Sequence, residues 1–369
     1  MPPDKRSPNL PAAVLALALS VPVPCAWAED PCALCSGPDC SADPCQCQAF
    51  PSPPRCPWYF QADGIMLRRD IHGSTPIATL HTDHDIVLST HDLDMTHKAG
   101  GRFLVGRTLG DSPLQLEFSY FWTDNWDASA EIRDTSPNVH GGQGNLYSPF
   151  TGFGTPAAVR GVDYNDYVAV RETSTLENGE LNIRRLLPTN GSRLTTYALL
   201  GVRYMSIDEG FHYYSHAEVS ETGVFGATNS VNTLTRNQLW GPQIGALMAF
   251  YVEDRWWINF EAKAAFCGNA AWQRTEYVRL SECPAWPGPR ERSRTTTTVI
   301  GDLDLSLVYR WTPRWTTRIG DQAIWIEGLA LASENFDQTL AMLENGPAQL
   351  RTSGKTVYHG MHAGLELTW

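Results

Sequence analysis

The stretch Phe250–Phe266, FYVEDRWWINFEAKAAF, reads as two strands around a tight turn at Glu253-Asp254. Beyond the turn, Trp256, Ile258, Phe260, Ala262, Ala264 and Phe266 alternate with Asn259, Glu261 and Lys263. A period of two puts successive side chains on opposite faces of a strand, here one apolar face and one polar. A soluble sandwich would show the same alternation, so the wider pattern has to decide.

The alternation recurs. In LQLEFSYFWT, Leu114, Leu116, Phe118, Tyr120 and Trp122 share one face, and Gln115, Glu117 and Ser119 the other. In VIGDLDLSLVYRW, Val299, Leu303, Leu305, Leu307, Tyr309 and Trp311 oppose Asp302, Asp304, Ser306 and Arg310. In GMHAGLELTW, Met361, Ala363, Leu365, Leu367 and Trp369 oppose His362, Gly364, Glu366 and Thr368. Globular strands usually run about five or six residues. These run about ten to fifteen, enough to cross a bilayer at a tilt.

Ten strands are expected, near 58–69, 98–109, 114–124, 179–187, 193–206, 235–252, 255–267, 296–311, 314–331 and 356–369. Four connections are tight: Gly110 to Pro113, Pro188 to Ser192, Glu253-Asp254 and Thr312-Pro313. They interleave with five long ones, near 70–97, 125–178, 207–234, 268–295 and 332–355. Short periplasmic turns, long external loops and an even strand number belong to outer-membrane barrels. The expected class is therefore all-β, an antiparallel transmembrane β-barrel of about ten strands. The number rises to twelve if connections 125–178 and 207–234 each hide further pairing. Trp122, Trp256, Tyr309, Trp311 and Trp369 end the apolar faces, where interfacial girdles are expected.

The faces turned inward carry charge. Glu117, Arg184, Arg203, Glu261, Lys263, Asp302, Asp304, Arg310 and Glu366 are the candidate lumen residues. Two readings stay open: they line a narrow aqueous path and set its ion selectivity, or they pair and fill the interior. Eight-stranded barrels are filled by side chains, and wide channels need about sixteen strands. Within the long connection 125–178, HGGQGNLYSPFTGFG (His140–Gly154) is suited either to exposure or to folding inward as a constriction.

Lys5, Arg6, the apolar run Leu10–Val23 and Ala26-Trp27-Ala28 form the layout of a cleaved secretory signal. The run is short for a spanning anchor, and Pro24 disfavours a lipoprotein signal at Cys25. The expected organisation is a signal peptide at 1–28, a Pro/Cys-rich periplasmic tail or linker at 29–57 and a barrel at 58–369. Cleavage leaves 39 acidic and 26 basic residues, a net charge of −13, which argues against nucleic acid as a partner. Cys32, Cys35, Cys40, Cys45, Cys47 and Cys56 crowd the tail, and in an exported chain the default for them is disulfides. A zinc site at Cys32 and Cys35 has an incomplete ligand set. Cys267 and Cys283 are candidates to staple one loop to itself.

HTDHDIVLSTHDLDMTH (His81–His97) mixes imidazoles with carboxylates, the donors a borderline divalent cation takes. His81, His84, His91 and Asp94 are the candidate metal ligands, against a solvated acidic loop. No resident cofactor is expected, only weak capture of divalent cations by external loops. No HExxH and no GxSxG occurs, so no enzyme is expected.

WYFQADGIMLRR, GGRFLVGRTLGDSPLQLEFSYFW, LYSPF, LENGELNIRRLL and LLGVRYMSIDEGF follow one another in order. TRNQLWGPQIGALMAFYVEDRWWINFEAKAAFCGN, LDLSLVYRWTPRWTTRIGDQAIWIEGLALA and YHGMHAGLELTW complete the series. In these pieces the chain resembles the bacterial outer-membrane β-barrel porins of beta-barrel porin family seven, from about Trp58 to Trp369. The resemblance implies a barrel in the outer membrane of a bacterium and a narrow pore for small solutes or ions. It carries no catalytic residues. The alternative is a non-conducting structural or surface-interaction barrel presenting large acidic, His-containing external loops. Outer-membrane lipid and the barrel-insertion machinery, engaged through the C-terminal strand, are the expected partners; the oligomeric state stays open.

Overall fold

The structure is a computed structural model that describes residues 58–70, 73–80, 85–110, 112–134, 144–155, 158–159, 161–188, 193–217, 226–281 and 284–369. Its strands are β1 (Trp58–Asp70), β2 (Pro76–Leu80), β3 (Ile86–Ser89), β4 (Lys98–Thr108), β5 (Leu114–Thr123), β6 (Trp126–Arg133) and β7 (Leu146–Tyr147). They continue as β8 (Tyr167–Leu187), β9 (Leu194–Ala217), β10 (Ala227–Glu253), β11 (Trp256–Leu280), β12 (Arg290–Arg310), β13 (Trp315–Leu329) and β14 (Gly354–Thr368). One short helix, α1 (Leu340–Asn345), precedes β14.

Ten strands form a closed antiparallel ring. The hydrogen-bonded order is β5-β4-β1-β14-β13-β12-β11-β10-β9-β8, and β5 pairs with β8 to complete it. β1 meets β14 from Tyr59↔Thr368 to Asp70↔Val357. β6 is the outward continuation of β5: both lie along β8, at Leu114↔Arg185 to Trp122↔Glu177 and at Trp126↔Ser174 to Arg133↔Tyr167. The barrel class and its ten-strand count are thus as the rhythm of connections predicts.

Strand lengths differ from expectation. β8 to β12 run 21 to 27 residues, whereas β1, β4, β5, β13 and β14 run 10 to 15. The connections expected at 207–234 and 268–295 are therefore largely strand, and the two ends of 125–178 are strand as well. The outer face of β10 explains why they read as loops. From Trp240 to Val252 its exposed side includes Trp240, Ile244, Met248, Phe250 and Val252. From Thr228 to Gln238 the same side carries Thr228, Ser230, Asn232, Arg236 and Gln238, with Leu234 its one apolar residue. Lipid demands an apolar face and water does not, so the contrast that marks a strand in sequence vanishes above the membrane.

Two tryptophans bracket the apolar band on β13: Trp315 and Trp325, both exposed and facing outward. Ten residues at about 3.3 Å, tilted by about 40°, span about 25 Å, the height of a lipid-facing band. Trp256 meets Tyr309 at a tilt, with centroids 4.4 Å apart, and Tyr309 meets Trp311 edge to face at 4.7 Å, near the short turns. At the other edge Tyr204 meets Trp240 at 4.4 Å, and Trp122 meets Phe103 at 5.5 Å. Trp369 lies at the β1–β14 seam, where its backbone exchanges hydrogen bonds with Trp58.

The outer half of the lumen is filled by connections that turn inward. Phe150 packs on Tyr213 at 4.9 Å and on Phe336 at 5.6 Å, and Phe336 reaches Phe211 at 5.1 Å. Of the two fates open to HGGQGNLYSPFTGFG, its described part, residues 144–154, takes the inward one. The described part of the first long connection is only partly solvated. Its β2 and β3 form a small sheet with β7, and Ile77, Ala78, Leu88, Leu93 and Met95 join the main core. Ile77, Ala78 and Leu88 of this connection bury themselves even though histidines and aspartates flank their strands, while Ile86 stays exposed.

Candidate functional site

The ring carries one continuous polar network at membrane depth. Glu180 on β8 and Asp302 on β12 are bridged by Arg203 of β9, whose guanidinium lies 2.5 Å from each carboxylate. Arg203 is 0% exposed. Lys263 of β11 stands 3.2 Å from Glu180 and 3.5 Å from Asp302. Gln243 of β10 donates to Glu180 at 3.0 Å, and Gln322 of β13 donates to Asp302 at 2.9 Å.

Gln322 also accepts from Arg102 of β4 at 3.2 Å, which joins a second group. There Asp63 of β1 accepts from Arg102 at 2.7 Å and from Arg318 of β13 at 2.6 Å. Asp304 takes Arg102 at 3.5 Å and His362 of β14 at 2.9 Å. On the other flank Arg184 reaches Glu261 at 2.8 Å and also pairs with Glu117 of β5, to which the Tyr59 hydroxyl donates. All ten strands of the ring contribute a side chain. Six carboxylates face five permanent cations and His362, so the network is close to neutral.

The nine candidate lumen residues thus divide. Glu117, Arg184, Arg203, Glu261, Lys263, Asp302 and Asp304 meet one another across the lumen. Arg310 instead stacks its guanidinium over Trp257, 5.1 Å from the ring centre, and Glu366 keeps to the same inward face of β14 as His362, half-buried near the strand end beside Gln61 of β1. Sequence reading missed Asp63, Arg102, Glu180, Arg318 and His362. Their parity was available, but β1 has apolar residues on both faces (Ile65 and Leu67 inside, Phe60 and Met66 outside), which masks the alternation around Asp63.

Above the network the inward connections are tied to the wall. Asn237 of β10 binds both the carbonyl and the N–H of Ala330, at 2.9 and 2.8 Å. Arg69 pairs with Glu172 at 3.1 Å and Glu209 at 2.7 Å, and Glu209 accepts from the Ala332 N–H at 3.0 Å. In the other connection Asp163 accepts from the N–H groups of Ser148 and Val159, at 3.1 and 2.8 Å. Burial nonetheless pushes the Asp163 carboxyl above the ordinary aspartate value, although these hydrogen bonds oppose the shift. Burial does the same to Glu334 and Asp337.

Of the candidate metal ligands, His81 and His84 lie outside the described residues. His91 is exposed in a short turn, and Asp94 stands 3.6 Å from Arg68. Among the described residues no group of three or more His, Cys, Asp or Glu could hold a metal ion. The tail cysteines Cys32, Cys35, Cys40, Cys45, Cys47 and Cys56, and Cys283, also lie outside the described residues. The Cys267–Cys283 staple is corrected: Cys267 is a buried free thiol on β11, which runs on to Leu280. Thirteen residues of extended chain put about 43 Å between Cys267 and the strand end, where a disulfide needs Cα atoms within about 7 Å.

No curated protein matches the chain by sequence. Among solved structures, the chain is similar to the outer membrane protease OmpT from Escherichia coli, at 10% identity and a TM-score of 0.46, covering 84% of this chain and 97% of that one. A major outer membrane protein from Thermus thermophilus gives 9% identity and a TM-score of 0.26, covering 84% and 99%. The Ralstonia pickettii toluene transporter TbuX gives 7% identity and a TM-score of 0.22, covering 85% and 90%. A family model described as "Putative beta barrel porin-7" matches residues 73–276, more than half of the chain, from the inward-folded first connection through most of β11. The chain belongs to the beta barrel porin-7 family.

Proposed function

We propose that the protein is a bacterial outer-membrane barrel closed to solutes, which works through the wall and connections that it raises above the membrane. The observation that carries this reading is Arg203, fully buried at the centre of the lumen between carboxylates from two other strands. A path for ions through that level would have to separate charges that already satisfy one another, at a cost of several kcal/mol for each desolvated ion. The inward connections add an apolar barrier above it. No catalytic role follows from any of these groups, and surrounding lipid is the partner that the apolar band supports.

Family membership favours a second reading, a narrow pore whose selectivity is set by Asp302, Asp304 and Lys263. Single-channel conductance in a planar bilayer separates the two, once heat-modifiable gel mobility has established a folded barrel. Absence of reproducible steps is the expected result. Steps whose cation preference reverses in Asp302→Lys would overturn the closed reading and establish the pore.

A further inference from the structure

The outer part of the wall is not closed. β13 pairs with β12 only as far as Val299↔Glu327, after which the chain leaves through Gly328 at φ +101° and turns inward. β12 continues outward and pairs with β11 alone, from Phe266↔Val299 to Thr275↔Arg290. The nine residues Arg290–Thr298 therefore present a row of backbone groups with no strand beside them. Five consecutive residues, Glu291 to Thr295, are exposed, so both faces of this edge meet solvent. A long exposed edge is a template for another strand, and proteins usually shorten, bulge or cover such edges.

The side chains specify what would add. Arg290, Arg292 and Arg294 share one face, about 7 Å apart along the strand. Arg290 is engaged with the carbonyls of Met342 and Gly346 at and just beyond α1. Arg292 donates to the Ala348 carbonyl at 3.1 Å, yet it stays exposed, and neither it nor Arg294 makes an ion pair with a described residue. On the other face Glu291 is held by Arg274 at 3.3 Å, and small hydroxyl side chains follow it. A protein of net charge −12 thus carries a local cationic edge.

We propose that the edge Arg290–Thr298 docks an extended, acidic segment of a partner protein as an additional β-strand. Main-chain hydrogen bonds supply the attachment, and acidic side chains at alternate positions meet Arg292 and Arg294, the division of labour seen in strand addition. This deepens the reading of the barrel as a surface-interaction protein and rests on it.

The test uses the full chain refolded in detergent or nanodiscs and a fluorescein-labelled nine-residue peptide alternating Glu and Thr, followed by fluorescence anisotropy. Saturable binding is expected, weakened at least tenfold by Arg292→Glu with Arg294→Glu, and at least tenfold when alternate peptide nitrogens are methylated. A Lys/Thr peptide is expected not to bind. Equal binding of the methylated peptide would reduce the contact to charge alone and overturn strand addition. So would no binding at all, or retention only of anionic-lipid vesicles through the same arginines. Conductance is measured on the same preparation, so failure of the docking strand and failure of the closed-barrel reading are told apart.

Discussion

Arg203 and Asp321 are opposite uses of charge within the membrane. Removing Arg203 leaves Glu180 and Asp302 buried with Lys263 as their remaining nearby cation. Arg203→Met is expected to lower stability by about 3–5 kcal/mol, the cost of breaking a buried pair from one side; urea unfolding in lipid vesicles measures it. Asp321 faces outward and is exposed between Ile319 and Trp325, alongside Leu305 and Met361. It is the one carboxylate facing lipid between the aromatic rings among the described residues. Asp321→Leu is expected to raise stability in the same assay by about 1–2 kcal/mol, since acidic residues cost less than basic ones at mid-bilayer. Neither role was legible from one strand alone. Alternation tells which side of a strand a charge takes, as it did for Glu261 and Asp302. Which strand across the lumen will answer it depends on register and shear, which the local pattern does not contain.

At the level of elements, the inward connections depend on a backbone turn and on buried acids. Gly328 adopts φ +101° at the bulge where β13 ends, and an added Cβ would come within 2.6 Å of the Thr297 carbonyl oxygen. Gly328→Ala is expected to cost about 1–2 kcal/mol from the left-handed backbone alone. It should loosen residues 329–351 first, visible as faster hydrogen exchange there than in β10. Asp163, Glu334 and Asp337 have pKa values raised by burial. The folded connections therefore take up protons more readily than the unfolded chain, and their stability rises as pH falls from neutral toward the ordinary carboxylate range. Exchange in 144–155 and 331–351, corrected for intrinsic rate, should slow between pH 7 and pH 5; faster exchange would contradict the assignment. These connections were the least legible part of the chain. Their glycines, aromatics and histidines suit exposure and burial equally, and the cavity that receives them is built by strands far away in sequence.

For the whole molecule, membrane-level strands were legible because lipid enforces a strict apolar face, and turn lengths fixed their order. The aqueous half was not, because the same strands lose that constraint once above the headgroups, as the change at Trp240 on β10 marks. β1 and β14, the first and last strands of the ring, are also direct neighbours, with Tyr59 opposite Thr368. That single seam dictates the timing of assembly. Contacts of such sequence separation form slowly because the loop must close before they reward it. The chain as far as Leu329 contains every strand of the ring except β14, yet leaves an open sheet with raw borders at β1 and β13. Until that seam forms the barrel is an unfinished object, and a chain cut before Gly354 is expected to be sticky rather than merely smaller, because its two open borders are templates for other strands.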